Sequence, residues 1–118
     1  MTDLIDFALT TRAEVDGSVL IAVAGELDLH RLPALADALQ AAAAPVVVDL
    51  QEVTFLDSAT LALLVREHRR LEAEGHELTV VVGPQTPTTV FAVTGIDRII
   101  TIESAEQPPP AVDGVQAA

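Results

Sequence analysis

Apolar residues fall along this chain in two rhythms, short dense runs and longer stretches at helical spacing. Residues 7–15 mix apolar and polar positions and predict a first strand. Val15-Asp16-Gly17-Ser18 reads as a tight turn, with Asp-Gly as the hairpin signal. Residues 19–24 are apolar, with β-branched Val19, Ile21 and Val23, and predict a buried strand that Gly25 ends and that pairs antiparallel with the first. Over 29–43, Leu32, Leu35, Ala36 and Leu39 recur at helical spacing. Pro33 fits an early helical turn, where its missing N–H costs nothing, and Pro45 stops the helix. Residues 46–50 then form a short, nearly all-apolar run of the kind found inside a parallel sheet, interrupted by Asp49.

Beyond Val53-Thr54-Phe55-Leu56, the spacing predicts a helix from Asp57 to about Glu74. Its apolar stripe is Leu61, Leu64, Val65, His68 and Leu71, and its polar face carries Arg66, Glu67, Arg69, Arg70 and Glu74. Gly75 suits a helix end. Residues 78–82 predict another buried strand, 86–93 a short helix followed by Gly95, and 99–102 a last strand. The order β-β-α-β-α-β-α-β argues for a small α/β domain with a mixed, mostly parallel β-sheet flanked by α-helices. This places one domain over 1–106. Residues 107–118, with three consecutive prolines at 108–110, are expected to be a disordered acidic and proline-rich tail.

Composition narrows what such a domain can do. Eighteen acidic residues face six basic ones, all arginine, for a formal net charge of -12. Nucleic acid backbone asks for a basic patch and an anionic membrane surface asks for the same, so neither is an expected partner. A protein with a positive face remains one, and long-range attraction would speed that encounter. Cysteine is absent, which excludes disulfides, thiolate chemistry and cysteine-rich zinc sites. His30, His68 and His76 show no ligand spacing. Aromatic content is 3%, limited to Phe7, Phe55 and Phe91, so no Trp or Tyr stacks on bases or cages a cation. Residues 1–7 lack the basic segment of a signal peptide, and no apolar run reaches the roughly 20 residues of a membrane helix. A cytoplasmic domain is the expectation.

The motifs of enzymes are missing as well. The scattered glycines make no phosphate-binding loop and no nucleophile elbow. Asp28, Asp49 and Asp57 each follow an apolar segment, and a carboxylate trio at one end of a sheet could bind Mg²⁺. The plainer reading makes them strand-end and cap residues. Ser58 opens the long helix. Either it or Asp57 caps an orphan N–H, worth about 1 kcal/mol, or Ser58 is a switch, since a phosphate adds about -1.5 to -2 charges where helix N-terminal amides stabilise it.

Four segments together resemble the STAS domain family, specifically the bacterial anti-sigma factor antagonists. They are Gly25-Glu26-Leu27-Asp28 after the second strand, Val46-Val47-Val48-Asp49-Leu50 as a central strand, Val53-Thr54-Phe55-Leu56-Asp57-Ser58 before the long helix, and Thr94-Gly95-Ile96-Asp97-Arg98-Ile99 leading into the last strand. The resemblance implies a STAS-like fold and a protein that is not an enzyme. Its partner would be an anti-sigma factor serine kinase that it binds, freeing a sigma factor. Ser58 would be the phosphoacceptor, and phosphorylation would release the partner until a phosphatase resets the cycle. ATP would belong to the partner, so no cofactor is expected on this chain. Asp28, Asp57, Ala59 and Thr60 would belong to the partner-facing surface. Family members usually carry Asp-Ser-Ser/Thr-Gly, whereas this chain reads Asp57-Ser58-Ala59-Thr60. Threonine thus adds bulk, and a second hydroxyl, where a residue without Cβ lets another backbone come close. The rival classes are a STAS binding module that is not phosphorylated, within a scaffold or lipid-transport complex, and an enzyme built on the aspartates.

Few large apolar groups and no helical period leave the 107–118 segment unable to repay the entropy of ordering. Truncation after Glu106 is expected to leave the melting temperature within a few degrees of the full chain, read by differential scanning calorimetry. A larger drop would show that the segment packs.

Overall fold

Five strands line up in sequence order, because each strand–helix–strand unit steps the chain one place further across a single sheet. The computed structural model describes residues 7–105. In chain order these are β1 (Phe7–Ala13), β2 (Val19–Leu27), α1 (Leu32–Ala41), β3 (Val46–Leu56), α2 (Ser58–Ala73), β4 (Leu78–Val82), α3 (Thr89–Thr94), a single 3₁₀ turn (Ile96–Arg98) and β5 (Thr101–Ser104). The sheet order is β1-β2-β3-β4-β5. β1 runs antiparallel to β2, and every other neighbouring pair is parallel. The expected hairpin and the adjacency of the 46–50 and 78–82 strands are both present. The tail and the first six residues lie outside the described residues.

Successive crossovers that all step in one direction, each right-handed, put their helices on one face of the sheet. The burial of the strands shows it. In β3 and β4, Val46, Val48, Leu50, Leu78, Val80 and Val82 are buried, while Val47, Asp49, Thr79 and Val81 between them are half-exposed. The near-continuous apolar run at 46–50 therefore does not mean a strand buried on both sides. Leu35 and Leu39 of α1 and Leu61, Leu64 and Leu71 of α2 close the dry face. With 3% aromatic content this core is filled by aliphatic side chains, Phe91 being its one buried aromatic among the described residues.

At the hairpin, Asp16 Oδ1 accepts the backbone N–H of Ser18 at 3.0 Å and its hydroxyl at 2.6 Å. Those two bonds hold the Asp16 carboxyl below the usual carboxylate range. On the far side of the sheet, buried Thr86 ties the β4–α3 loop to β3. Its hydroxyl accepts the Gly83 N–H at 2.9 Å and donates to the Leu50 carbonyl at 2.7 Å.

Several boundaries differ from the sequence pattern, among them α3, which occupies 89–94 rather than 86–93. Gly25 does not end β2. It takes a φ of +101° within the strand, opposite a bulge at which β3 carries the extra residue Thr54, and β2 continues to Leu27. β3 does not stop at Leu50 but runs on to Leu56, passing the end of β4 and pairing with β2 alone. β5 occupies 101–104 rather than 99–102, because the 3₁₀ turn takes up Ile96–Arg98 first.

A further correction lies on α2. Glu67, placed by periodicity on the polar face, is only 2% exposed. Arg70 explains how a carboxylate is tolerated there. Its Nε donates to Glu67 Oε1 at 2.9 Å, its Nη1 reaches Glu74 Oε2 at 3.3 Å, and its Nη2 donates to the Leu39 carbonyl at 2.9 Å and the Ala42 carbonyl at 3.4 Å. One guanidinium thus neutralises a buried acid and donates to two carbonyls at the end of α1. The Glu67 carboxylate is the main reason the Arg70 guanidinium is held above its ordinary pKa.

Removing one partner of a buried pair leaves the other charge uncompensated, at a cost of about 3–5 kcal/mol. Arg70→Ala is therefore expected to destabilise the domain by about that much in urea denaturation. Adding Glu67→Leu to Arg70→Met should recover most of the loss, because the lone buried charge is then gone. Failure of the double substitution to recover stability would show that the bonds to α1, rather than the ion pair, carry the effect.

Candidate functional site

The end of the sheet where β2 and β3 outrun β4 presents two strand–aspartate–helix junctions side by side. The extra residue Thr54 on β3, opposite Gly25–Glu26, brings Leu27 into register with Leu56. Both are buried, so the next residue on each strand, Asp28 and Asp57, leaves the sheet at the same level. Neighbouring strands stand about 4.8 Å apart, which sets the scale of the separation between the two junctions.

Each aspartate organises the helix that follows it. Asp57 is the N-cap of α2, with extended φ and ψ of -129° and -176°, and its Oδ1 accepts the Thr60 N–H at 3.2 Å. Asp28 Oδ1 accepts the N–H groups of His30 and Arg31 at 3.1 and 3.2 Å. Its Oδ2 receives Arg31 Nη1 at 2.8 Å, and the Arg31 guanidinium sits 5.9 Å from the centre of the Phe7 ring. Residues 28–31 are therefore a turn, and α1 begins at Leu32, not at Leu29.

Ser58 is the first residue of α2 and is exposed. Asp57 performs the capping, and among the described residues no hydrogen bond engages the Ser58 hydroxyl. Ala59 beside it is half-buried. Thr60 is the exception among the site candidates. It is fully buried, with Oγ1 3.4 Å from both the Leu27 carbonyl and Asp57 Oδ1. Its side chain links the two junctions from inside and is not part of the solvent-facing surface, so the extra bulk relative to glycine points into the protein.

The third aspartate does not join them. Asp49 pairs with Ala22 and Val81 in the body of the sheet, seven residues before Leu56. At about 3.3 Å per residue that places it on the order of 20 Å from Asp57. Its Oδ1 accepts the Gln51 N–H at 2.9 Å. The trio at one sheet end is therefore not formed, and among the described residues no group of three or more His, Asp or Glu side chains is placed to hold a metal ion.

Sequence reasoning missed two apolar residues of this end. Leu29 is 68% exposed and Phe55 45% exposed, one just after Asp28 and the other two residues before Asp57. Their signal was available, since large apolar side chains beside the strand-end aspartates fall outside the buried alternation. It also missed Arg31, detectable only as a basic residue three positions after Asp28. Among the described residues no helix is long and apolar enough to cross a membrane.

Comparison with known proteins bears on this geometry. The family model described as Mlab, STAS domain matches residues 10–102. The fold is similar to the crystal structure of an anti-sigma factor antagonist from Mycobacterium paratuberculosis, with 27% identity and a TM-score of 0.74 over 86% of this chain and 90% of that one. It is also similar to the anti-sigma factor antagonist SpoIIAA in its unphosphorylated form, with 21% identity and a TM-score of 0.72 over 83% and 88% of the two chains. The Bacillus cell fate determinant SpoIIAA in the phosphorylated form gives 23% identity and a TM-score of 0.62 over 83% and 91%. No curated protein matches the sequence.

The Asp57 cap is expected to be worth about 1 kcal/mol. Asp57→Ala should lower the urea midpoint accordingly without changing the slope, while Asp57→Ser, which keeps an acceptor, should lose less. Equal losses in the two variants would mean that the side-chain bond to Thr60 contributes nothing.

Proposed function

Because the chain belongs to the STAS domain family, whose members are regulatory modules without catalytic machinery of their own, we propose that it is an anti-sigma factor antagonist switched by phosphorylation at Ser58. The observation that carries this reading is the state of the Ser58 hydroxyl: exposed, at the first turn of α2, and free of the capping duty that Asp57 performs.

The chemistry divides between two proteins. An anti-sigma factor serine kinase brings the ATP. The Ser58 oxygen bonds to the γ-phosphorus, the bond to the leaving ADP breaks, and the hydroxyl proton passes to a base of the partner. This chain supplies an accessible oxygen on a rigid helix start. The phosphoserine adds about -1.5 to -2 charges, which the free N–H groups of the first turn of α2 and the helix dipole stabilise. The fold therefore persists while the bound face changes. Asp28 and Asp57 already make that face acidic. The new charge beside them demands desolvation that the partner's surface, shaped for a neutral serine, does not repay. Release follows, and a phosphatase restores the binding form. The cytoplasm, where sigma factors and ATP reside, is the compartment this requires.

A second reading, a STAS module that binds without phosphorylation inside a scaffold or lipid-transport complex, is favoured by one observation: buried Thr60 stands where the antagonists usually carry glycine.

Isothermal titration of wild type, Ser58→Ala, Ser58→Asp and the phosphorylated protein against the kinase separates the two. Wild type and Ser58→Ala should bind alike, Ser58→Asp more weakly, and the phosphoprotein weakest, since aspartate carries less charge than phosphate. Equal affinities across all four would overturn the switch and leave a constitutive binding module.

A further inference from the structure

Beyond Ser58 the exposed stripe of α2 continues through Ala62, Arg66 and Arg69, at helical spacing. Between this stripe and the 3₁₀ turn lies a cleft lined by Leu61, Ala62, Val65, Arg66, Arg69 and Ile96. Leu61 and Ile96 form its buried floor, and Ala62 leaves its entrance open.

The charge of this cleft is out of keeping with the chain. Acidic residues outnumber basic ones eighteen to six, yet no carboxylate lines it. The other well-formed ion pairs occupy Arg12 with Glu14, Arg31 with Asp28, and Arg70 with Glu67 and Glu74. Arg69 makes no ion pair among the described residues. Arg66 lies 3.8 Å from Glu67 while 67% of its side chain remains exposed, and Glu67 is already engaged by Arg70. A merely solvated helix face on so acidic a chain would carry acids here. Two arginines on the rim of an apolar floor match a ligand with apolar groups flanked by carboxylates. A phosphate backbone or an anionic lipid surface meets the repulsion of a net charge of -12 with only Arg66, Arg69 and, on the 3₁₀ turn, Arg98 near the cleft to offset it.

We propose that the α2–3₁₀ cleft receives an acidic amphipathic helix of the partner protein, its apolar face on Leu61, Val65 and Ile96 and its carboxylates on Arg66 and Arg69. The inference rests on the antagonist reading for the identity of that partner, the kinase. It adds a second contact, along α2, that fixes the direction in which the partner lies relative to Ser58.

The test uses the full chain, labelled with ¹⁵N, and two synthetic helical peptides with the same leucine face, one flanked by glutamates and the other by lysines. The glutamate peptide should shift the amides of Leu61, Val65 and Ile96. Its affinity should fall about tenfold or more in an Arg66→Glu/Arg69→Glu variant. An Arg66→Gln/Arg69→Gln variant, which removes charge without reversing it, should lose less, and a thermal melt of each variant confirms that it folds. Equal binding of the two peptides, or shifts that avoid the cleft, would overturn the proposal. The same variants are then titrated with the kinase. Wild type and the Arg66→Glu/Arg69→Glu variant binding it equally would also overturn the proposal while leaving the Ser58 switch standing. No binding of the kinase to wild type would sink the antagonist reading instead, and the peptide titration alone would then decide the cleft.

Discussion

The candidate site depends on how β2 pairs with β3 after β4 has stopped. Side chains alternate along a strand, so a shift of one residue exchanges the buried and exposed sets. The register moves twice along this pair, between Ala22 and Ala24 and again at Gly25–Glu26. The second shift comes from Thr54, the extra residue on β3, opposite Gly25, whose positive φ glycine adopts without strain. Its result is that Leu27 and Leu56 face the dry side together. From that pairing follow the side-by-side exits of Asp28 and Asp57, the two capped turns, and the position of Ser58. Thr60 reinforces the arrangement from within by reaching the Leu27 carbonyl.

Where side-chain pattern and local chemistry agree, the sequence is transparent. The Val-rich run at 46–50, the five-residue β4 and the long α2 all have apolar positions that match their period, and proline or glycine near at least one boundary. The second half of β3 was opaque because Gln51, Glu52 and Thr54 interleave with Val53 and Leu56. That mixture reads as a connection until a neighbouring strand is known to be there. The same misreading drew Asp49 toward the other aspartates, since a strand ending at Leu50 puts it near a sheet end. Glu67 shows a different limit. A carboxylate at a core-facing position is intelligible only through Arg70, and an i,i+3 pair looks the same in sequence whether it lies in water or under a helix. At the site, the strand-to-helix step made Asp57 and Ser58 legible, but which of them caps α2 needed coordinates. Thr60 lay one turn before Leu64 and three residues after its cap, so its inward direction was readable in principle. The resemblance, which placed it at the partner surface, outweighed that signal.

The few cations are used economically. Arg31 steadies the Asp28 turn and covers Phe7, and Arg70 serves a buried acid and a helix end at once. The acids of the surface are left mostly to water, which favours solubility and makes the unmatched arginines of α2 conspicuous. A partner meeting this domain thus encounters two electrostatic territories along one helix, negative at the start of α2 and positive farther along it.

The Arg70 bridge from α2 to the last carbonyls of α1 also bears on how the molecule fluctuates. A helix usually frays from its end because the terminal carbonyls lose little when they turn to water. Here the final turn of α1 cannot loosen without stripping Arg70 from it and disturbing the partner of a buried carboxylate. The end of α1 and the C-terminal turns of α2 are therefore expected to open as one cooperative unit, their amides exchanging through the same rare event. The opposite end of α2, where Ser58 sits, lies outside that unit and can respond to an added charge without loosening the helix pair behind it.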